Sequence, residues 1–347
     1  MDTPPPGTHI GLRDRLDVGT RISGLESLPS VDLGEMRRVY GRLVELATRE
    51  APRPELDAGY RIVWGRGEER GWLDLAAHSS SFAVIGRHSL ADLVLPRDEQ
   101  VSLRHLLATT YLLPHESGGR ADVALRLLDL RTTLSFLLDD GSARRSIVAT
   151  GPVCLRLASY VLAAFPVHDG NLEIAGDAQI DSMAVPRSAV RDELMPPSKT
   201  SRPWRTSEIA VMAQPSEISQ IVARSTDDPR RARVTIEREG RGTTVAISEA
   251  ELARGVLIGR AEKCLDQGLR SLLTGRVSRV HLLLLAEGEE VTAYDLCTMN
   301  GTRREGERVR STLLDDGGTR LLLGSRRDGV ILRWQRSALA EPIGPYR

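Results

Sequence analysis

The chain has 347 residues, enough for two domains with separate cores, and its 47 basic residues balance 47 acidic ones, so no net field favours nucleic acid or an anionic membrane. Aromatic residues make up only 4%, which leaves little stacking surface for single-stranded nucleic acid. No run of about eighteen apolar residues suits a membrane span, and the start MDTPPPGTHIG lacks the basic region and apolar block of a secretory signal.

Cys154, Cys264 and Cys297 are isolated, with no C-x-x-C pair, so neither a disulfide framework nor a zinc site is expected. The expectation is a cytoplasmic protein without metal or other cofactor. The basic residues are arginines except Lys199 and Lys263; anion recognition is one explanation of that bias, and the codon usage of a GC-rich genome is the expected one.

Residues 1–55 begin Pro-rich and then offer one amphipathic helix. Asp32 and Glu35 have the spacing of a capping box, and Leu33, Met36, Tyr40, Leu43 and Ala47 recur at helical intervals. Such a stripe either covers an apolar patch of the next domain, the expected case, or docks a partner.

Residues 58–175 have β texture. YRIVW and WLDL flank GRGEERG, whose glycine spacing suits a hairpin turn rather than a phosphate loop, since no helical pattern follows. FAVIGR, ADLVL, RHLLATTYLL and ALRLLDL then follow at the intervals of a sandwich. Residues 180–229 are rich in Pro, Ser, Thr and Arg and read as a flexible linker. The β texture returns over 231–337, and 338–347 form a short tail.

The two β regions repeat each other. AVIGR at 83 matches VLIGR at 256, VSLRHLLAT at 101 matches VSRVHLLLL at 277, and ALRLLDLRTTLSF at 124 matches VTAYDLCTMNGTR at 291. Three matches in one order mark a tandem pair of domains.

The order Gly-Arg, then Ser-x-x-His, then Asn-Gly resembles the forkhead-associated (FHA) family, here in two copies. The resemblance implies a mainly β chain of two FHA-like antiparallel β-sandwiches, with an N-terminal helical region and a flexible linker. It implies phosphothreonine-dependent binding of a protein partner, a Ser/Thr kinase or one of its substrates. It gives no enzymatic role.

The residues fit that chemistry independently. A phosphothreonine carries nearly two negative charges and three strong acceptors. Arg260, ending an apolar strand, offers a planar donor fork, and Ser278 offers a hydroxyl with its backbone N–H as an extra donor. Asn300 both donates and accepts, which suits a grip on peptide backbone, and Gly301 permits a positive φ. Gly259, His281 and Gly301 support the site, His281 through a ring-nitrogen bond to the Ser278 turn. Arg279 either assists the phosphate or faces solvent. The resemblance places Thr298 and Met299 in the turn where family members tune recognition of the peptide around the phosphothreonine, and methionine is an unusual choice there.

The first copy retains Arg87, Ser102 and His105, with Thr132 and Thr133 in its turn, as a weaker candidate site. Leu134 and Ser135 replace the asparagine and glycine, so it is expected to bind phosphopeptides weakly or not at all. In the second copy EKCLDQGLRSLLTGR is longer than its counterpart and has lost the Asp-x-x-Leu pattern. Walker, G-x-S-x-G, H-E-x-x-H and kinase motifs are missing, so no catalytic residue is expected. Two alternatives stay open: a phosphorylation-independent scaffold using both sandwiches, and self-association through a phosphorylated linker threonine such as Thr206.

Overall fold

The computed structural model describes residues 33–78, 81–113, 122–139, 141–174, 190–191, 231–265, 268–288 and 290–336. A helix, α1 (Leu33–Glu45), runs into a π-helical turn at Leu46–Glu50. The strands of the first half are β1 (Ala58–Arg66), β2 (Glu69–Ala76), β3 (Phe82–Gly86), β4 (Leu93–Val94), β5 (Leu106–Leu113), β6 (Asp122–Asp129), β7 (Phe136–Leu138), β8 (Ala143–Arg144), β9 (Ser146–Ala149), β10 (Val153–Leu157), β11 (Tyr160–His168), β12 (Asn171–Leu172) and β13 (Val190–Arg191). Those of the second half are β14 (Arg231–Arg238), β15 (Arg241–Ser248), β16 (Val256–Ile258), β17 (Leu282–Glu287), β18 (Glu290–Asp295), β19 (Thr302–Arg304), β20 (Glu307–Val309), β21 (Ser311–Leu313), β22 (Thr319–Leu323) and β23 (Val330–Arg336), with α2 (Glu249–Arg254) before β16.

Each half is a mainly antiparallel β-sandwich, and the two share one strand order. The sheet β2-β1-β11-β10-β7-β8 is matched by β15-β14-β23-β22-β19-β20, and β9-β6-β5-β3 by β21-β18-β17-β16. Local chemistry explains the shared start. GRGEERG forms the hairpin between β1 and β2, with Gly67 at φ +58°. In the second half Glu239 and Gly240 both take positive φ between β14 and β15, the two-residue turn whose twist matches flanking strands.

The inward faces form two separate cores. One holds Tyr60, Ile85, Leu106, Leu125, Phe136 and Leu162, and the other Val234, Ile258, Leu284, Ala293, Leu321 and Trp334. The sandwiches differ beside the third strand. In the first, β4 runs parallel to β3. In the second, the longer segment turns through a 3-10 helix at Leu269–Leu272 and buries Leu269 instead.

The apolar stripe of α1 covers the first sandwich. Met36, Tyr40, Leu43, Leu46 and Ala47 are buried, and the Tyr40 ring lies 6.1 Å from that of Phe165 on β11. Arg61, 1% exposed, pairs with Asp74 at 2.7 Å and donates to the Ala47 carbonyl, which fixes the end of this helical segment. The proposed capping box includes Asp32, outside the described residues. Of the 180–229 segment only Val190–Arg191 is described, paired with β9. Thr206 and the 338–347 tail also lie outside the described residues.

A third apolar cluster joins the sandwiches through the outward faces of matching strands. Val84, Leu107 and Leu130 of the first meet Leu257, Leu283 and Leu296, their counterparts in the second. Phe82 packs edge-on against Tyr294 with centroids 4.9 Å apart, and Arg310 lies over the Phe82 ring and pairs with Asp92 at 2.7 Å. Equivalent surfaces thus face each other within one chain, as in an isologous dimer.

Candidate functional site

In both sandwiches the candidate residues gather where the third strand ends, the fourth large strand begins and the next one terminates. The Gly-Arg pair leaves the sheet at the end of β3 or β16. A Cβ on Gly86 would come within 2.5 Å of the Leu103 carbonyl oxygen, and one on Gly259 within 2.4 Å of that of Arg279. Real Cβ atoms do not approach that closely, so glycine is required for the strand end to lie against the Ser-x-x-His loop. That contact is cemented by backbone bonds, Arg260 N–H to the Ser278 carbonyl at 3.3 Å and Ala261 N–H to the Arg279 carbonyl at 2.7 Å.

Arg260 is exposed, and its Nε donates to the Val277 carbonyl at 2.6 Å. This fixes the guanidinium at the Ser278 turn and leaves both terminal nitrogens to fork onto an anion. Among the described residues Arg260 has no carboxylate partner. The Ser278 N–H donates to His281 Nδ1 at 3.0 Å. This corrects the expectation that this N–H is an extra phosphate donor, because it is already committed inside the loop. Ser278 is half-buried, and its carbonyl takes the Arg260 N–H.

His281 is fully buried. Its Nδ1 accepts from a backbone N–H, so the neutral ring carries its proton on Nε2, 3.8 Å from Asp295 Oδ2. Burial lowers its basicity, which the Asp295 carboxylate opposes. The ring holds the Ser278 turn from behind, away from solvent. Arg279 is exposed.

The other half of the site is the turn after β18. Asp295, buried at its foot, accepts from Thr298 N–H and Thr298 Oγ1 at 2.8 Å each and from Thr302 Oγ1 at 2.7 Å. Thr298 is fully buried and also receives the Gly301 N–H. Its side chain therefore cannot contact a peptide, a correction to its assignment as a binding residue: it shapes the turn. Met299 is 77% exposed at the tip. Asn300 Nδ2 donates to the Arg276 carbonyl at 2.8 Å, so one of its N–H groups braces the Ser278 turn while Oδ1 and the other N–H remain for a ligand. Gly301 has φ +74°, and a Cβ there would meet the Arg308 side chain at 2.6 Å.

The first sandwich repeats the phosphate half. Arg87 Nε donates to the Val101 carbonyl at 3.2 Å, Arg87 N–H to the Ser102 carbonyl at 3.0 Å, and Ser102 N–H to His105 Nδ1 at 3.0 Å. Burial takes the His105 pKa down to about 4 and raises that of Asp129 to about 6. Thr132 is buried against Asp129 and His105, so it too is structural and not available to a ligand, whereas Thr133 is exposed. Leu134 turns its carbonyl to His105 Nε2 at 2.8 Å. No side-chain amide stands where Asn300 stands in the second copy.

Several residues that shape the second turn had no sequence signal. Arg303 donates to the Asn300 carbonyl, Arg308 to the Thr298 carbonyl, and Arg104 reaches from the first sandwich to the Leu296 and Cys297 carbonyls. Among the described residues no helix is long and apolar enough to cross a membrane. None of their His, Cys, Asp and Glu clusters could hold a metal ion.

No protein-family model and no curated relative matches the chain. Solved structures similar to it include forkhead-associated domains. The FHA-1 domain of Mycobacterium tuberculosis Rv1747 is 22% identical and covers 31% of this chain and 99% of its own, with a TM-score of 0.24. The FHA domain of CT664 from Chlamydia trachomatis is 17% identical over 31% of this chain and 99% of its own, with a TM-score of 0.26. The yeast Dun1 FHA domain, solved in complex with a doubly phosphorylated peptide derived from Rad53 SCD1, is 13% identical over 44% of this chain and 95% of its own, with a TM-score of 0.29.

Proposed function

We propose that the chain is a phosphothreonine-dependent protein-binding adaptor in Ser/Thr kinase signalling, with recognition at the second sandwich. The observation that carries this reading is the arrangement around the Arg276–Ser278 turn. Arg260 and Asn300 grip consecutive carbonyls of that turn, those of Val277 and Arg276, and each keeps donors that no described residue takes up. A guanidinium fork beside a serine hydroxyl suits a phosphate, and an amide with one free donor and its acceptor suits a peptide backbone. The exposed Met299 beside Asn300 favours an apolar residue on the bound peptide. Nothing in this chemistry needs a nucleophile or a general base.

Titration of the full chain with degenerate phosphothreonine peptides and their unphosphorylated counterparts tests the reading. Phosphorylated peptides are expected to bind selectively, and Arg260→Ala to cost about 2–5 kcal/mol of that affinity. Arg87→Ala is expected to change it little. Equal affinity for both peptide pools overturns the reading.

A phosphorylation-independent scaffold is the second reading, favoured by the first sandwich, where a leucine stands in place of the clamp asparagine. Partner capture that survives phosphatase treatment of the partner favours it over the first.

A further inference from the structure

The first sandwich lacks the asparagine clamp, yet it reaches directly into the recognition turn of the second. Arg104 lies between Ser102 and His105 and is 8% exposed. Its Nε donates to the Leu296 carbonyl, and its Nη2 to the Cys297 carbonyl at 2.9 Å. These carbonyls immediately precede Thr298-Met299-Asn300. Cys297 itself sits at φ +54°, a left-handed conformation that is uncommon for a residue with a side chain.

The same peptide position is braced in the other direction. Lys263 of the second sandwich donates to the Leu130 carbonyl at 2.6 Å, and Leu130 is the counterpart of Leu296. The two braces do not come from equivalent positions: Val280 stands where Arg104 would be, and Leu90 where Lys263 would be. Arg131, the counterpart of Cys297 and likewise at φ +54°, crosses the seam to the Lys263 and Gly255 carbonyls. The seam therefore ties the recognition turn of each sandwich to the loop of the other.

We propose that Arg104 is a positioning residue for the second site: the first sandwich serves to hold the Cys297 carbonyl, and through it to set the direction of Asn300. An arginine kept almost wholly from water, with its donors on two backbone carbonyls, costs desolvation that those bonds offset. Removing it releases the turn while the Ser278 loop, held by His281 and Arg260, stays in place. This rests on the reading of the second site as a phosphothreonine site, but its structural part is measurable without a ligand.

The test uses the full chain carrying Arg104→Met, with Arg104→Lys as the conservative variant. Amide hydrogen exchange without ligand is expected to quicken at Thr298 and Gly301, which bond within the turn, and to stay unchanged at Ser278, which bonds His281. Affinity for a degenerate phosphothreonine peptide pool is expected to fall about tenfold, roughly the loss of one charge-assisted bond, with Arg104→Lys restoring most of it. Unchanged turn exchange, or acceleration spread evenly over the second sandwich with no rescue by lysine, overturns the proposal. If the wild-type chain ignores the phosphorylated pool, the functional reading fails, and the exchange pattern alone decides whether Arg104 holds the turn.

Discussion

Single residues at the site are constrained by space or by solvent, and the two constraints predict different behaviour. Gly259→Ala would place a methyl 2.4 Å from a backbone oxygen that cannot rotate away. The expected cost is about 1–3 kcal/mol of stability, together with weaker phosphopeptide binding as Arg260 shifts with the strand end. Gly275→Ala, with no atom within 4 Å of the new methyl, is the control and is expected to be near neutral when both variants are unfolded with denaturant. His105 is constrained by solvent: burial brings its pKa from 6.5 down to about 4, so the folded chain keeps it neutral. Its contribution to stability is full above the unfolded pKa and is lost as pH falls from about 6.5 to about 4, because the unfolded state binds the proton first. The span corresponds to about 3 kcal/mol. Asp129, raised to about 6, works in the opposite sense over part of that range. The contribution of His105 is therefore read as the difference between wild type and His105→Gln. The variant is expected to show a shallower loss of stability from pH 6.5 to 4, and parallel profiles would remove the argument.

At the scale of elements, the turn after β18 behaves as a unit built on one carboxylate. Asp295→Ala removes the acceptor for Thr298 N–H, Thr298 Oγ1 and Thr302 Oγ1 together. Three buried donors would lose their partner, and a loss of about 3 kcal/mol is expected in chemical denaturation, with collapse of phosphopeptide binding. Cost confined to binding, with stability intact, would mean the turn is held mainly by Arg303 and Arg308. Much of this was legible in the sequence because the motifs are local: Gly-Arg, Ser-x-x-His and Asn-Gly each carry their own turn chemistry. What the sequence could not assign was which atoms of those motifs stay free. The Ser278 N–H and the Thr298 hydroxyl have the right chemistry for a ligand, and only their partners His281 and Asp295 exclude them. The inter-sandwich bonds were hidden for another reason, since Arg104 and its carbonyl partners stand 192 and 193 residues apart. One signal did point to the seam. Leu282–Leu285 are apolar and buried without alternation, as are Phe82–Gly86, and an antiparallel strand loses alternation when both its faces are covered.

Across the molecule, the residues that join the sandwiches lie on the outward faces of the strands that carry the candidate residues, so the two are expected to unfold as one. Leu283 is 1% exposed on the outer face of β17, while its neighbours Leu282 and Leu284 point into the second core. A charge at 283 therefore strikes the seam and leaves the core composition unchanged. Leu283→Asp would bury an unpaired carboxylate against the apolar faces of β3 and β5, and the cheapest response is for the sandwiches to separate. Each large side chain released from such a contact forfeits about 1.5–3 kcal/mol, an upper figure since an unfolded chain already buries some of that surface. The wild-type chain is expected to unfold in a single transition by calorimetry, and Leu283→Asp in two. The same variant is expected to weaken phosphopeptide binding to the extent expected of Arg104→Met, because separation withdraws Arg104 from Cys297. Adding Arg104→Met to Leu283→Asp should then cost no further affinity, the non-additivity expected of two lesions that break one connection. Full additivity would mean that the turn is set within the second sandwich alone.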